Sequence, residues 1–408
     1  MMAKEKKKVP NLRFKGFTDD WEQRRLGEVG KTQSGIGFPN KEQGGHQGIP
    51  FFKVSDMNNE GNEFEMKISN NYVTEIQIAN RKWKPISEVP AVIFAKVGAA
   101  LMLNRKRLVK VPFLIDNNTM AYIFSNEWDP YFGKTLFDTL NLPRYAQIGA
   151  LPSFNGSDIE NIKVMLPSLR EQQALSHFFQ NINSLITLHQ RKLDLLNQLK
   201  KGLLQKMFAD KGSKRPILRF EGFTGNWEIR QLKELGEIIT GNTPKTSQVE
   251  NYSSNGIPWV TPTDINSIYT TDSAKRLSTV GKDKAKIAPA NSLLVTCIAS
   301  IGKNTLVLQE SAFNQQINAL IPVKNDPFFL LAESAKWSRI MRNLAGQTSM
   351  QIINKKTFSG ISTSIPDLKE QKIIGSLFKK LDNTIAFQQQ RISRVNEIKK
   401  SLLQQMFI

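Results

Sequence analysis

Hydrophobic residues recur at alternating spacings of three and four along residues 166–208, and again along residues 365–407. This spacing places them on one face of a helix, and over about four heptads it predicts a coiled-coil seam. The expected seam positions are Leu175, Ile182, Leu185, His189, Leu196, Leu203, Ile374, Leu381, Gln388, Val395 and Leu402. Neither stripe can be buried alone, so each helix is expected to pair with the other.

An alternative is that each helix lies along its own domain. A helix from Leu169 to Phe208 would extend about 60 Å, which exceeds the width of one domain of ordinary size. The length therefore favours pairing between the two helices.

The two stretches are copies of each other, because they align without a gap. Both begin with Pro-x-Leu-x-Glu-Gln and end with Lys-Lys-x-Leu-Leu-Gln-x-Met-Phe. A second duplication, Leu-Arg-Phe-x-Gly-Phe-x-x-x-Trp-Glu, opens each half within residues 10–28 and 216–234. The chain thus consists of two halves that repeat the same order of segments, which indicates an internal duplication.

The segment between the halves sets the direction of the second helix. Residues 209–215 reach at most about 25 Å, so the second half must begin near the far end of the first helix. To pack along the first helix, the second must run back, which predicts an antiparallel pair with a domain at each end. His189 and Gln388 then meet near an approximate twofold axis.

Each half is predicted to be a mixed α/β (α+β) domain. Short β-branched runs bounded by glycine or asparagine predict strands, and Asp129 and Asp326 precede prolines typical of a helix start. The run Val92–Gly98 matches an apolar run that ends at Gly302. The expected order is a basic disordered tail (1–9), a first globular domain (10–165), the first long helix (166–208), a linker (209–215), a second globular domain (216–364) and the second long helix (365–408).

Charge narrows the class of partner. Lys and Arg number 56 against 36 Asp and Glu, which gives a net charge of +20. Such a surplus favours a polyanionic partner, either nucleic acid or an anionic membrane face. We see neither a run long enough to span a membrane nor a signal peptide, and expect a cytoplasmic protein. The one cysteine, Cys297, fits a reducing compartment and a buried strand.

Catalytic and metal-binding motifs are not complete in this sequence. Residues 27–32 resemble the end of a phosphate-binding loop, but Arg25 occupies the place of its first glycine. Residues 129–132 resemble a methyltransferase motif without its second proline, and a helix start explains them better. The three histidines lack metal-ligand spacing. We therefore expect no catalytic residue and no metal site.

What remains is binding chemistry in the divergent middle of each half. Amide side chains in these segments suit adenine, and arginine or lysine suits guanine or phosphate. For any single residue, a solvated polar loop is the competing interpretation. The candidate contacts are Lys53, Ser55, Lys96, Asn104, Arg105, Lys106, Arg107, Asn117, Asn118, Arg144, Gln147, Ser153, Asn155, Thr261, Thr263, Ser300, Lys303, Asn304, Gln315, Gln316, Arg342, Gln347, Thr348, Ser349, Gln351, Asn354 and Lys355.

The duplicated openings, helix entries and helix exits together resemble the specificity (S) subunit of Type I restriction-modification systems. The resemblance covers essentially the whole chain after the tail. It implies two target-recognition domains that read the halves of a bipartite, asymmetric DNA site, with the paired helices as spacer. It also implies two methyltransferase (M) subunits and, for cleavage, restriction (R) subunits. S-adenosylmethionine, ATP and Mg would belong to those partners, and no cofactor to this chain.

Recurrence of the openings at twofold-related places suggests that identical partners dock twice. The candidate docking residues are Arg13, Phe14, Trp21, Arg219, Phe220 and Trp227. The competing interpretation is that the two tryptophans seal the cores of their own domains.

Two other functions stay open from the sequence. One is a catalytic nuclease or methyltransferase, which the missing motifs disfavour. The other is a free-standing DNA-binding or scaffold protein without enzyme partners, which co-purification with a methyltransferase would exclude.

Overall fold

The protein divides into two compact units that each contain parts of both long helices. The computed structural model describes residues 8–147, 151–210, 213–346 and 352–408. Unit 1 comprises Met1–Leu188 and Ile392–Ile408, and unit 2 comprises His189–Arg391. Unit 1 therefore holds the start of the first long helix and the end of the second, and unit 2 holds the reverse.

The elements of the first half alternate short strands with short helices before the long helix begins. The strands are β1 (Glu22–Arg25), β2 (Gly30–Ser34), β3 (Ile49–Phe52), β4 (Tyr72–Val73), β5 (Ala91–Ala95), β6 (Lys106–Val109), β7 (Leu114–Ile115), β8 (Thr119–Phe124) and β9 (Lys163–Leu166). The helices are α1 (Glu75–Arg81), α2 (Ala99–Met102), α3 (Pro130–Thr139), α4 (Gly156–Glu160) and α5 (Leu169–Lys206).

The second half follows the same plan with more strands. These are β10 (Glu228–Gln231), β11 (Gly236–Thr240), β12 (Tyr252–Val260), β13 (Tyr269–Thr270), β14 (Arg276–Leu277), β15 (Ile287–Ala288), β16 (Leu293–Thr296), β17 (Asn304–Val307), β18 (Ser311–Phe313), β19 (Ile317–Pro322) and β20 (Ser362–Ile365). The helices are α6 (Leu232–Leu235), α7 (Thr279–Asp283), α8 (Pro327–Ala345), α9 (Lys355–Ser359) and α10 (Leu368–Met406).

The main sheet of unit 1 has the antiparallel order β2-β8-β5-β6. Every residue of β5 and β8 is buried, because both strands are apolar runs covered on both faces. Along β5, Val92 and Phe94 enter one core cluster and Ala91 and Ile93 enter the other, as the alternation of side chains in a strand requires. A smaller sheet, β4-β3-β7, packs beside it.

Unit 2 repeats this arrangement. Its larger sheet has the order β11-β19-β16-β17-β13, and the smaller sheet has the order β14-β12-β18-β15. Leu293 and Val295 of β16 enter one core cluster and Leu294 the other. In both units a two-stranded antiparallel ribbon, β1-β9 or β10-β20, leads directly into the long helix.

The first turn of each long helix is fixed by an ion pair that the duplication repeats. Arg13 Nε and Nη2 donate to the two carboxylate oxygens of Glu171, both at 2.7 Å. Arg219 donates in the same way to Glu370 at 2.7 and 2.6 Å. The carboxylates are almost fully buried and the guanidinium groups largely so, so this fork-to-fork geometry holds each opening segment against its helix.

The neighbouring glutamine ties the same helical turn to the following short helix. The backbone N–H of Asp129 donates to Gln172 Oε1 at 2.9 Å, and that of Asp326 donates to Gln371 Oε1 at 3.0 Å. Both aspartates cap α3 or α8, as the Asp-Pro sequences predicted. The Glu-Gln pair of the duplicated motif therefore connects the long helix to the opening segment and to the following short helix.

A phenylalanine just after the end of each long helix completes the core of the other half. In unit 1, Trp21 meets Phe407 edge to face, with ring centroids 6.3 Å apart. In unit 2, Trp227 meets Phe208 with the same separation. Backbone bonds accompany both contacts, from Leu12 N–H to Gln405 O and from Leu218 N–H to Lys206 O.

This packing corrects part of the docking prediction. Trp21 and Trp227 are each only 2% exposed, so neither is available to a partner, and the interpretation that they seal their own cores is confirmed. Phe14 packs edge to face on Phe178, and Phe220 lies against the core of unit 2.

The heptad seam is present, with one systematic shift. Leu185, expected in the seam, is 42% exposed, whereas Ile186 is half-buried. In both helices the second buried position of each heptad falls four residues after the first, so Ile186 rather than Leu185 follows Ile182 in the seam. The buried or half-buried residues that follow this spacing in α5 and just beyond its end are Leu175, Phe179, Ile182, Ile186, His189, Leu193, Leu196, Lys200, Leu203 and Met207. Those of α10 are Ile374, Phe378, Leu381, Ile385, Gln388, Ile392, Val395, Lys399, Leu402 and Met406.

Polar pairs lie within this seam in unit 2. The Gln388 amide donates to His189 Nδ1 at 2.6 Å and to the His189 carbonyl at 3.0 Å, which confirms the predicted pairing. Lys200 Nζ lies 2.5 Å from Asp382 Oδ1. Burial raises the pKa of Asp382, and the lysine opposes that rise. Phe208, just beyond the C-terminal end of α5, meets Phe378 near the start of α10, so the paired segments run antiparallel.

We predict that the two closing phenylalanines stabilise opposite halves. Phe407→Ala should destabilise unit 1 by about 3–5 kcal/mol, because a buried aromatic ring leaves a cavity. Phe208→Ala should have the matching effect on unit 2. Hydrogen exchange of the full chain should therefore show lost protection within residues 8–188 for the first variant and within residues 213–391 for the second. Loss within residues 213–391 for Phe407→Ala would contradict this account.

Candidate nucleic-acid interface

Three separate segments of unit 1 meet at one end of its main sheet. The end of β5 continues into Lys96, whose N–H donates to the carbonyl of Asn118 at 2.9 Å. The Lys96 carbonyl in turn accepts from Phe154 N–H at 3.0 Å. An isolated bridge between Val97 and Ser153 extends this contact. The strand end, the turn between β7 and β8 and the loop before α4 therefore form one surface.

Hydrogen bonds within the turn between β7 and β8 fix its shape. The buried Asp116 carboxylate accepts from Thr119 Oγ1 at 2.6 Å and from Asn118 Nδ2 at 3.2 Å. Asn117 and Asn118 are both exposed at the tip. The Asp116 N–H donates to Phe52 O at 3.1 Å, which brings the segment after β3 against the turn.

That segment carries Lys53 and Ser55. Asp56 Oδ2 accepts from the Lys53 N–H at 2.7 Å, and Oδ1 accepts from the Asn70 N–H at 3.1 Å. Burial raises the pKa of Asp56, and these two bonds oppose the rise. The Lys53 ammonium donates to Gln43 at 3.1 Å, whereas Ser55 is exposed.

The loop before α4 is held by a second carboxylate. Asp158 Oδ2 accepts from the Asn155 N–H at 2.7 Å and from Gln147 Nε2 at 3.2 Å. The Gln147 N–H donates to Ser153 O at 2.9 Å. Gln147 and Asn155 are exposed, as is Arg144 in the preceding helical turn. The predicted residues of this loop thus lie together.

Unit 2 builds the same surface from different residues. Cys297 N–H donates to Gln316 O at 2.8 Å, and Ile353 N–H donates to Cys297 O at 2.9 Å. Asn314 N–H donates to Val260 O at 3.0 Å, as Asp116 does to Phe52. Cys297 is therefore the counterpart of Lys96, and the predicted match ending at Gly302 is wrong.

The backbone explains why the sequence match was misplaced. Gly98 has φ 74° and its counterpart Ala299 has φ 61°. A positive φ favours glycine, but alanine occupies this position in unit 2. The nearest glycine, Gly302 (φ 81°), lies three residues later, and matching glycine to glycine therefore shifted the alignment. Cys297 is buried, as the apolar run predicted, and burial raises its pKa to about 11.

The side chains on this surface differ between the units while the scaffold is kept. Asn117 and Asn118 are replaced by Gln315 and Gln316, of which Gln315 is exposed. Lys53 and Ser55 are replaced by Thr261 and Thr263. Thr261 N–H and Oγ1 both donate to Asp264 Oδ2, at 2.8 and 2.7 Å, which repeats the role of Asp56.

The sequence analysis missed Thr243. Its hydroxyl donates to Gln315 Oε1, so the segment after β11 borders the turn. The signal available was its position two residues after Gly241, the counterpart of Gly35, just beyond the end of the first strand of each unit's main sheet.

The basic cluster at residues 104–107 is placed differently from the prediction. Lys106 is 2% exposed, its ammonium donates to Leu140 O at 2.6 Å, and burial lowers its pKa to about 8. Asn104 donates to the same carbonyl at 3.1 Å. Burial also lowers the pKa of Arg107, which bonds to Met57 O. Arg105 bonds to Asn58 on the surface. Lys106 is therefore a core residue and not a surface contact.

Asn304 is a second correction. Its amide donates to Ser334 Oγ at 2.9 Å and Ser338 Oγ at 2.7 Å, so it anchors β17 to α8. Lys303 is exposed, and the Ser300 carbonyl accepts from Thr296.

The loop that follows α8 is only partly described. Arg342 is exposed near the end of α8, and Asn354 caps α9 by accepting from Thr357 N–H at 2.9 Å. Lys355 is exposed beside it. The remaining candidates of this loop lie outside the described residues: Gln347, Thr348, Ser349 and Gln351.

Within residues 8–147, 151–210, 213–346 and 352–408, no group of histidine, cysteine, aspartate and glutamate could hold a metal ion. In the same part of the chain, no helix combines the length and apolar character needed to cross a membrane.

Comparison with known families gives a match over most of the chain. The model of the Type I restriction modification DNA specificity domain matches residues 18–198 and again residues 224–397. The two matches cover the two halves of the duplication and most of both long helices.

Curated relatives agree with this match. The chain is 30% identical over 184 residues to the Type I restriction enzyme HindI specificity subunit of Haemophilus influenzae, an alignment that covers 42% of this chain and 39% of that protein. It is 22% identical over 296 residues to the putative type I restriction enzyme MjaX specificity subunit of Methanocaldococcus jannaschii, covering 68% of this chain and 67% of that one. The chain thus aligns with well under two thirds of the HindI subunit.

Solved structures share the fold. The S subunit of a Type I restriction-modification system from M. genitalium superposes with a TM-score of 0.67 at 13% identity, covering 98% of this chain and 99% of that one. A chain from a study of the assembly of the type I R-M system gives a TM-score of 0.53 at 18% identity, covering 95% and 97%. These likenesses support the predicted class of two duplicated domains with paired long helices.

Proposed function

The chain belongs to the Type I restriction-modification DNA specificity family, and on that basis we propose that its two units read the two halves of a bipartite, asymmetric DNA site. Its relatives are specificity subunits, which are the non-catalytic DNA-recognition subunits of such systems.

The observation that carries the proposal is that one scaffold presents two different sets of side chains. Identical backbone bonds place the strand end, the turn and the loop in each unit. The exposed groups at the turn are Asn117 and Asn118 in unit 1 and Gln315 in unit 2. A protein that recognised one target twice would be expected to keep these groups identical, so the difference supports two different half-targets.

The chemistry of the exposed groups suits the edges of base pairs. Asparagine and glutamine amides can form two hydrogen bonds with adenine in the major groove. In both units the carboxylates of Asp116, Asp158 and Asp264 are occupied by internal hydrogen bonds. They shape the loops, and the net charge of +20 supplies the attraction to phosphates.

The proposed consequence of recognition is carried out by partners. The chain would direct adenine-N6 methylation by M subunits, and restriction of unmodified DNA by R subunits. S-adenosylmethionine, ATP and Mg would be bound by those partners and not by this chain.

Two M subunits are the stoichiometry that the duplication supports. The ion pair of Arg13 with Glu171 recurs as that of Arg219 with Glu370. Any surface formed around one ion pair therefore recurs around the other. Because Trp21 and Trp227 are buried, docking would use the exposed parts of the opening segments and of the adjacent helical turns. A free-standing DNA-binding or scaffold protein is the alternative, which failure to co-purify with a methyltransferase would favour.

We predict that the two turns determine different half-sites. Gln315→Ala should relax recognition of the second half-site only, by about 1–3 kcal/mol at the affected base pair. Asn117→Ala should do the same for the first half-site. The measurement is methylation of a library of DNA sites by the complex of each variant with its methyltransferase.

Gln389→Ala, which removes an exposed glutamine from α10, is the matched control and should leave both half-sites unchanged. If Gln315→Ala changed the preference at both half-sites while the chain stayed folded, the division of labour would be wrong.

A further prediction concerns residues 1–210 expressed alone. These contain one domain and one complete long helix, and Met207-Phe208 repeats the Met406-Phe407 that completes unit 1. A second copy can therefore replace the missing helix end and give a symmetric homodimer. With methyltransferase, that homodimer should modify an inverted repeat of the first half-site. Sedimentation and methylation mapping test this, and a fragment that stays monomeric at high concentration would count against it.

A further inference from the structure

A group of lysines in unit 2 lies beside the turn that carries Gln315. Lys245 follows β11, and Lys284 and Lys286 follow α7, and all three are exposed. None was among the residues that the sequence pattern singled out. They are separated in sequence, so only the fold brings them together.

Two asparagines hold these lysines in place. Asn251, which is fully buried, donates to Lys245 O at 3.0 Å and accepts from Lys284 Nζ at 2.8 Å. Asn242 donates to Lys284 O at 2.7 Å and accepts from the Lys286 N–H at 2.6 Å. The lysine positions are therefore fixed by the fold rather than lying on a loose loop.

The same network continues to the candidate base-contact surface. Thr243, between Asn242 and Lys245, donates to Gln315 Oε1. The Asn242 N–H donates to Phe313 O at 3.0 Å. The lysine group and the turn are thus adjacent parts of one surface.

Unit 1 carries a lysine group on the corresponding elements. Lys41 lies in the segment after β2, and Lys82 and Lys84 follow α1. The two segments are joined by Arg81, which donates to Glu42 Oε1 at 2.9 and 2.7 Å. Trp83, between the two later lysines, packs edge to face on Phe38 with centroids 5.9 Å apart.

The lysines of both groups keep their charge available. Within the described ranges, no carboxylate lies in ion-pair range of any of the six, whereas nearby Lys282 is paired with Glu310 and Arg81 with Glu42. Asp283 precedes Lys284 in sequence and reduces the local charge without pairing with it. Repulsion between like charges disfavours two such groups of lysines without carboxylate partners.

We propose that each lysine group, Lys41 with Lys82 and Lys84 in unit 1 and Lys245 with Lys284 and Lys286 in unit 2, binds the phosphate backbone of DNA beside the half-site that its unit reads. This inference rests on the proposed DNA-recognition function. Ammonium groups spaced along a surface contact phosphates without reading sequence. The lysines fix the position of the duplex so that the adjacent turn faces base edges.

The test measures, as a function of salt, the DNA affinity of the full chain in complex with its methyltransferase. The variant is the triple substitution K245Q, K284Q and K286Q, and the probe is duplex DNA of the recognised sequence and of unrelated sequence. Each lost phosphate contact reduces the magnitude of the negative slope of log K against log salt by about 0.9. The magnitude of the slope should therefore fall by about 2–3, with both DNA sequences affected alike and half-site preference unchanged.

A triple variant with the same change of charge is the control. K192Q, K201Q and K380Q remove exposed lysines of α5 and α10 and should leave the slope within about one unit of the original. The arginine variant K245R, K284R and K286R should retain the original slope, because the charge is kept. Lys284 has a partner in Asn251, so the double variant K245Q and K286Q, with an expected fall of about 2, guards against a folding defect.

The outcomes separate this inference from the proposed function. If the unmodified chain binds DNA and the lysine and control variants lose the same slope, the lysine groups do not contact phosphate and the inference is wrong. If the lysine variant changes the half-site preference, the lysines read bases and the inference is also wrong. If the unmodified chain with its methyltransferase binds no DNA, the proposed function itself fails.

Discussion

The structure depends on the burial of each long helix's last residues in the core of the other half. Phe407 packs against Trp21 in unit 1, and Phe208 packs against Trp227 in unit 2. Neither domain core is complete within its own half of the sequence. Each half supplies a core phenylalanine that the other half lacks, so the two domains are stable together in one chain. Folding of one domain is thereby coupled to folding of the other. The Met-Phe exits are retained in both copies for this reason.

This division of roles explains which residues repeat and which differ. The repeated residues form internal hydrogen bonds and ion pairs: Arg13 with Glu171, Gln172 with Asp129, and their counterparts in the second half. The residues that differ lie where backbone bonds hold a strand end, a turn and a loop together at one end of a sheet. Side chains such as Asn117 or Gln315 can therefore change while the scaffold that presents them is kept.

The sequence predicted the duplication, the long helices, their antiparallel pairing and the contact of His189 with Gln388, because periodicity and repeats depend on local pattern. Leu185 was wrongly placed in the seam, because hydrophobicity alone cannot decide whether the third or the fourth residue after Ile182 is buried. The sequence analysis also placed Lys106 on the surface, although tertiary packing buries it against Leu140 O. The lysine groups escaped prediction because Asn242 and Asn251 join segments that are distant in sequence, and no spacing rule reveals such a network.

The central claim is that one chain reads two different half-sites. Sequencing the adenine methylation of the host genome, with and without the gene for this chain, tests it most directly. The account predicts that a single bipartite motif loses methylation, with two unlike halves separated by a fixed spacer. Loss of a palindromic motif, or no loss of methylation although the methyltransferase is present, would contradict it.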